Sequence, residues 1–183
     1  MRLQKLNLYV KKKNKISKIL VKLIWDFLGK PLFSSFIPGT FWRKFILIIF
    51  GAKIGRGGKI KTNIKISEPW NLSIGDHCWI GENVWIDNLA LIKIGNRVCI
   101  SQGVYLCTGN HNFKKELFNL ILEKIVINDD CWIAAKSTIA PGAILERGSV
   151  TSLGSVVSGI LQEDGIYKGN PAKLLKSNDD NLN

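Results

Sequence analysis

An aliphatic residue returns at every sixth position in two runs within residues 74–106, and no other feature of the chain restricts its fold as much. The series is Ile74, Ile80 and Ile86, then Ile94, Ile100 and Leu106. Small or polar residues usually follow it, at Gly75, Gly81, Asp87, Gly95, Ser101 and Cys107. Four places after each aliphatic stand Cys78, Val84, Ala90, Val98, Val104 and Asn110. A period of six fits neither the helical period of about 3.6 nor the strand period of about 2. It is the period of a parallel β-helix, an all-β solenoid of hexapeptide repeats. Each hexapeptide supplies one short strand and a turn, and three of them close a triangular coil. The aliphatic side chain points into the prism, and the small residue after it lets the backbone turn the corner.

The same frame reaches upstream to Ile54, Ile60 and Ile66, and downstream to Ile127, Ile133, Ile139, Leu145, Thr151 and Val157. That makes five coils of three and predicts a β-helix over residues 51–158. The steps from Ile54 to Ile74 and from Ile74 to Ile94 are twenty residues each, with two-residue inserts at Leu72-Ser73 and Ile92-Lys93. The step from Ile127 to Leu145 is eighteen. The step from Ile94 to Ile127 is thirty-three, so residues 112–124 are expected to leave the prism as a loop. A loop thrown out of a rigid scaffold is a common seat of function. Residues 159–183 are expected to depart as a tail with a polar end.

Charge divides the chain. Of its net +12, residues 1–50 hold +10 (eleven Lys and Arg against Asp26) and residues 51–183 hold +2 (fifteen bases against thirteen acids). Within the basic arm, Lys11, Lys12, Lys13 and Lys15 cluster. Residues 16–28 read as an amphipathic helix whose stripe is Ile16, Ile19, Leu20, Leu23, Ile24, Phe27 and Leu28, stopped by Gly29-Lys30-Pro31. A loop around Pro38-Gly39 precedes a second apolar helix over residues 41–50. Two compatible readings of the arm stand open. Its helices cap the end of the prism, which would otherwise expose strand edges and core; or residues 1–28 lie on an anionic membrane surface. Lysines without interleaved aromatics or a binding motif argue against nucleic acid. No apolar run reaches the length of a membrane-spanning helix, and no secretory leader is expected. The four cysteines, Cys78, Cys99, Cys107 and Cys131, form no CxxC pair, and Cys78 and Cys131 fall at inward positions. Reduced thiols serving as small core residues are expected, in a cytoplasmic protein that is peripheral at the inner membrane face if the arm binds lipid.

Residues 74–90, IGDHCWIGENVWIDNLA, and 98–111, VCISQGVYLCTGNH, resemble O-acetyltransferases of the colanic acid biosynthesis type. These are hexapeptide-repeat acyltransferases, with galactoside, maltose and nodulation acetyltransferases as relatives. The tail motif Gly169-Asn170-Pro171-Ala172-Lys173 matches too, so the likeness spans residues 42–176. The resemblance implies a left-handed β-helix, an exception to the usual right-handed crossover. It implies a homotrimer with sites between neighbouring prisms. It also implies acetyl-CoA as donor and, as acceptor, a sugar hydroxyl of a surface polysaccharide or its precursor. An N-acetyltransferase acting on an amino sugar, or a non-catalytic β-helix scaffold, is the alternative expectation.

Acetyl transfer to a hydroxyl needs a base, because an alcohol is a poor nucleophile at neutral pH. His111 is the candidate: it sits at the root of the loop, where the relatives carry their catalytic histidine. His77 falls in an ordinary turn and is read as structural. Two histidines are too few for the three-histidine zinc site that the gamma-type carbonic anhydrases build on this fold, so no metal is expected. Asn83, Asp87 and Asn88 are candidates for binding the acceptor, against the plain alternative that Asn and Asp favour corners. The resemblance places the donor along Trp132, Ala135, Leu153, Gly154 and Ser158, with Lys173 and Lys176 at the CoA phosphates. The chain departs from its relatives at Ser158-Gly159, where Thr-Lys is common. Trp70, Trp79 and Trp85, at corner or outward positions, are expected to pack against a neighbouring subunit.

Overall fold

The computed structural model describes residues 16–177, so the lysine cluster at residues 11–15 and the polar end of the tail lie outside the described residues. Among the described residues there are twenty strands, numbered β1–β20 in chain order, most of them two or three residues long. They form the parallel β-helix expected from the repeat, with the left hand that the resemblance implies. The first face stacks β1 (Lys53–Ile54), β4 (Leu72–Ile74), β7 (Ile92–Ile94), β12 (Ile125–Ile127), β15 (Ile144–Leu145) and β18 (Ile160–Leu161). The second stacks β2 (Lys59–Ile60), β5 (Trp79–Ile80), β8 (Cys99–Ile100), β13 (Trp132–Ile133), β16 (Val150–Thr151) and β19 (Gly165–Gly169), with β20 (Ala172–Ser177) folded back on β19. The third stacks β3 (Lys65–Ile66), β6 (Trp85–Asp87), β9 (Tyr105–Cys107), β14 (Thr138–Ile139) and β17 (Val156–Val157). A separate antiparallel pair joins β10 (Gly109–His111) to β11 (Leu120–Leu122).

Every position of the six-residue frame ends or nearly ends a strand and points inward. On the third face Ile66, Ile86, Leu106, Ile139 and Val157 are all buried. Thr151 is the polar member of the series. It is buried too, and its hydroxyl joins Ser137 Oγ at 3.3 Å and the Ala134 amide at 3.2 Å. The two-residue inserts lengthen the first face so that two alternate residues point inward: Leu72 with Ile74, and Ile92 with Ile94, all buried. Cys78 and Cys131 are buried as expected.

The prism runs further than the expected boundary at residue 158. Strand β18 pairs with β15 and β19 with β16, placing Leu161 and Tyr167 in the core. The step from Val157 to Leu161 is four residues instead of six, so a count by sixes loses the frame there. The loop over residues 112–124 is likewise more ordered than a plain excursion, because Leu120–Leu122 returns as a strand.

The arm caps the first coil. Helix α1 (Ile16–Ile24) continues through a wider π turn (Trp25–Gly29) into α2 (Lys30–Phe33), and α3 (Thr40–Ile49) follows. Gly29 and Pro31 do not stop the first helix. Pro lacks an N–H and crowds the preceding turn, and the wider turn just before it keeps the rod continuous, with Lys30 N–H donating to the Trp25 carbonyl. Gly29 is there for space: a Cβ would lie 2.4 Å from Trp25 Cε3. The buried face is also not the expected stripe. Trp25, Phe33 and Leu47 enter the core, while Leu20, Phe27 and Leu28 stay exposed. Edge groups of the first coil find partners here. Trp25 Nε1 donates to Ile66 O at 3.2 Å, Ser34 Oγ to Ile64 O at 2.8 Å, and Thr40 Oγ1 accepts from Ile60 N at 3.2 Å.

Candidate active site

His111 closes β10, where the chain has just left the third face. Its backbone pairs with Leu120 across the β10–β11 hairpin. The imidazole is half-buried and lies flat on Phe118, with ring centroids 4.3 Å apart and planes 8° apart. Nδ1 is 2.7 Å from the Phe118 carbonyl oxygen. A carbonyl can only accept, so Nδ1 carries the proton and Nε2 is the basic nitrogen of the neutral ring. Phe118 thus fixes the ring plane by stacking and the tautomer by its carbonyl. Its own backbone is bent to do so, at φ 48°. Nothing in the sequence marks Phe118 beyond its place in the excursion seven residues after His111.

Asp87 sits at the same corner one coil earlier, opposite Cys107 in register. Its carboxylate accepts from Ser67 Oγ at 2.7 Å and from the Tyr105 hydroxyl at 3.3 Å. Its main-chain carbonyl accepts from Thr108 Oγ1 at 2.9 Å. Burial, then the neighbouring Cys107 and Asp87, push the Tyr105 phenol up, so it stays a hydrogen-bond donor. Ser67 and Tyr105 were not singled out from the sequence, yet each lies one coil from Asp87 on the same face, which the repeat register gives. Asn88 is placed differently. It is buried, and its amide bridges coils by accepting from Glu68 N at 3.0 Å and donating to Glu68 O at 2.6 Å. Its side chain serves the fold and does not reach outward.

The remaining candidates gather elsewhere. Asn83 stands at the corner between the second and third faces, in left-handed backbone at φ 59°, and accepts from Asn63 Nδ2. With Trp85 and Tyr105 it borders a shallow hollow of ≈ 200 Å³. Ala135, Leu153 and Gly154 lie at that same corner in the later coils, where Gly154 N donates to Ala135 O at 2.9 Å. Trp132 projects from the second face, half exposed, with Nε1 donating to Ser101 Oγ at 3.0 Å. Lys173 and Lys176 are on β20, where Lys173 faces Lys168 across the hairpin. Ser158 alone of the donor set shares the His111 corner, one face away from Gly154. A single prism therefore carries its candidate base and most of its candidate donor groove on different edges. His77 occupies a left-handed turn at φ 59° and ties coils together by donating N–H to Arg56 O at 2.8 Å. Trp79 and Trp85 are exposed beneath Lys59 and Lys65, whereas Trp70 packs on the core and donates to Glu68. Among the described residues no group of three or more His, Cys, Asp or Glu is arranged to hold a metal ion.

No family model matches the chain. Among named proteins, it is 39% identical over 135 residues to the Escherichia coli protein named as a colanic acid biosynthesis acetyltransferase, WcaF, covering 74% of each chain. A hexapeptide-repeat-containing acetyltransferase of Vibrio cholerae, solved with acetyl coenzyme A, superposes with a TM-score of 0.82 at 23% identity, covering 92% of both chains. A galactoside acetyltransferase in complex with coenzyme A superposes with a TM-score of 0.81 at 20% identity, covering 92% of this chain and 86% of that one.

Proposed function

This chain belongs to the hexapeptide-repeat acetyltransferases of the colanic acid biosynthesis type, and we propose that it moves acetyl from acetyl-CoA to a sugar hydroxyl of a surface polysaccharide or its precursor. The observation that carries the reading is the Nδ1 contact of His111 with the Phe118 carbonyl at 2.7 Å, which leaves Nε2 as the base. His111 removes the hydroxyl proton as the sugar oxygen attacks the thioester carbonyl carbon. The imidazolium so formed keeps its Nδ1–H on Phe118. When the tetrahedral intermediate collapses, the carbon–sulfur bond breaks and His111 returns the proton to the departing thiolate. The transfer is direct, in a ternary complex, and no step needs a cysteine or a metal. Asp87, braced by Ser67 and Tyr105, and Asn83 are offered as acceptor contacts.

The donor reading rests on the chemistry of the second edge. Exposed Trp132 and Leu153 suit the carbon chain of a slender pantetheine arm and the open backbone at Gly154 leaves room for it, and Lys173 and Lys176 suit phosphates. Since base and groove lie on different edges of one prism, the complete site requires the His111 hairpin of one copy to meet the groove of the next. A homotrimer satisfies this three times over.

The test is release of CoA thiol from acetyl-CoA across a panel of mono- and oligosaccharides, amino sugars included. Acceptor-dependent release that falls by about a hundredfold or more in His111→Ala supports the base. Undiminished release in that variant overturns the assignment, and release confined to amino sugars turns the reaction into N-acetylation.

A further inference from the structure

The arm has two faces, and the prism uses only one. Trp25, Phe33, Leu47 and the Arg43 side chain are buried against the first coil. The other face presents Phe27 at 74%, Leu28 at 69%, Phe36 at 81%, Phe41 at 85%, Phe45 at 58% and Ile49 at 62% exposure. Single exposed apolar residues are ordinary, but large side chains gathered on one short segment mark an interaction surface. They follow helical spacing on both helices: Leu20, Ile24 and Leu28 on one, Phe41, Phe45 and Ile49 on the other.

The surface is also held stiffly. The loop between the two helices carries Phe36 and Ile37, and Arg43 clamps it through four main-chain carbonyls. Nε donates to Phe33 at 3.2 Å, Nη1 to Gly39 at 2.7 Å, and Nη2 to Ser35 and Ile37 at 2.6 Å each. The guanidinium, lacking a carboxylate partner among these contacts, organises the loop and leaves its aromatic tip outward.

We propose that this outer face of the arm docks on an anionic phospholipid bilayer. Charge selects the occupant. Residues 1–50 carry +10 with Asp26 as their one acid, and Asp26 is paired with Lys22 at 3.2 Å. Two copies meeting through this face would bring like charges together, which disfavours association. A negatively charged leaflet attracts each basic residue near it. No helix among the described residues is long and apolar enough to cross a membrane, so the helices lie in the interfacial plane with their apolar stripes among the acyl chains. Apolar insertion and a polybasic segment are the two signals that stable peripheral binding needs. The proposal does not rest on the chemistry at His111.

Sedimentation of the full chain with vesicles tests it. Phosphatidylcholine alone is compared with phosphatidylcholine containing about a third phosphatidylglycerol. Binding at least about tenfold tighter to the anionic vesicles is expected, weakening in high salt. A triple variant, Phe27→Asp, Phe41→Asp and Phe45→Asp, is expected to lose that binding while keeping its thermal midpoint and its mass by light scattering. Absence of wild-type binding to anionic vesicles overturns the proposal, as does undiminished binding by the variant. A variant that changes oligomeric mass overturns it in favour of a second copy as occupant.

Discussion

At the first and second corners of this prism every step between inward residues is six, whereas at the third corner the steps are eight, eight, twenty-one, six and four. The backbone explains the contrast. Each coil turns the first corner on a left-handed residue: Gly57, His77, Arg97, Asp130, Gly148 and Asp164, at φ 53° to 64° apart from Gly148 at 68°. The second corner uses Asn63, Asn83, Gly103, Lys136 and Gly154 in the same way. These residues bond coil to coil: Arg97 N donates to Asp76 O, Asp130 N to Asn96 O, Gly103 N to Glu82 O, and Lys136 N to Gln102 O. One added residue would misalign the ladder above and below it. The third corner has left-handed glycines only at Gly142 and Gly159, and there the chain lengthens, leaves and returns. Two corners hold the architecture, and the third carries the His111 hairpin.

Insertions should separate the corners most sharply. One glycine inserted after Gly103 reverses the inward and outward sides of Val104 to Leu106. Each misplaced core side chain costs about 1.5–3 kcal/mol, so loss of the cooperative thermal transition is expected. Two glycines inserted after Gly142 lengthen a surface turn and should cost less than about 1 kcal/mol. Replacing residues 112–119 with Asn-Gly, a two-residue turn that joins His111 to its partner Leu120, should leave the melting curve in place. Acetyl transfer should nevertheless fall by about a hundredfold, the usual contribution of a positioned base, because Phe118 no longer holds the ring. Retained activity would mean that the excursion is decoration.

The same contrast governs what could be read without coordinates. Counting by sixes located every strand of the five full coils and put His111 at the root of the excursion, because side-chain period and coil geometry are one constraint. It failed at Val157, where a four-residue step hides Leu161 and Tyr167 from the count. In the arm, Gly29 and Pro31 read as a helix stop, yet one π turn admits the proline and the glycine makes room for Trp25. The stripe through Leu20 and Phe27 was visible; that Trp25 and Phe33 would be the buried side was not, since periodicity shows that a helix has faces and not which one is covered. Asn88 and Asp87 are neighbours of similar chemistry, and only the stacking of Glu68 beneath separates the bridge from the outward carboxylate.

A single methyl group provides a finer probe. On Gly75, at the first corner, a Cβ would lie 2.5 Å from Gly95 O and 2.7 Å from its carbonyl carbon. Backbone cannot swing away as a side chain can, so Gly75→Ala should destabilise by about 1–3 kcal/mol. On Gly109, at the third corner, the nearest atom would be Leu89 Cδ1 at 3.7 Å, an ordinary contact. Gly109→Ala should stay within about 0.5 kcal/mol of the wild type. Chemical denaturation of the two variants measures both, and equal costs would remove the distinction between corners.

The smallest effect concerns the side chains that decorate the first corner. Arg97 and Asp130 occupy successive left-handed positions, and their side chains pair between coils at 2.6 Å, with Arg147 adding a contact to Asp130 at 3.1 Å. The hydrogen bond from Arg97, then that from Arg147, holds the Asp130 carboxyl down to about 2 despite some opposing burial. A depressed carboxylate stabilises the fold above its unfolded value of about 3.9 and loses that contribution as pH falls through about 2. Both arginines are well exposed, so solvent screening keeps the gain below about 1 kcal/mol. Asn tolerates the same left-handed backbone, so Asp130→Asn removes the charge and keeps the turn. Its thermal midpoint should lie slightly below wild type at pH 7, and the gap should close between about pH 4 and pH 2. A gap that persisted at pH 2 would assign the effect to hydrogen-bond geometry instead of charge, and the first corner would then owe its fixed length to its backbone alone.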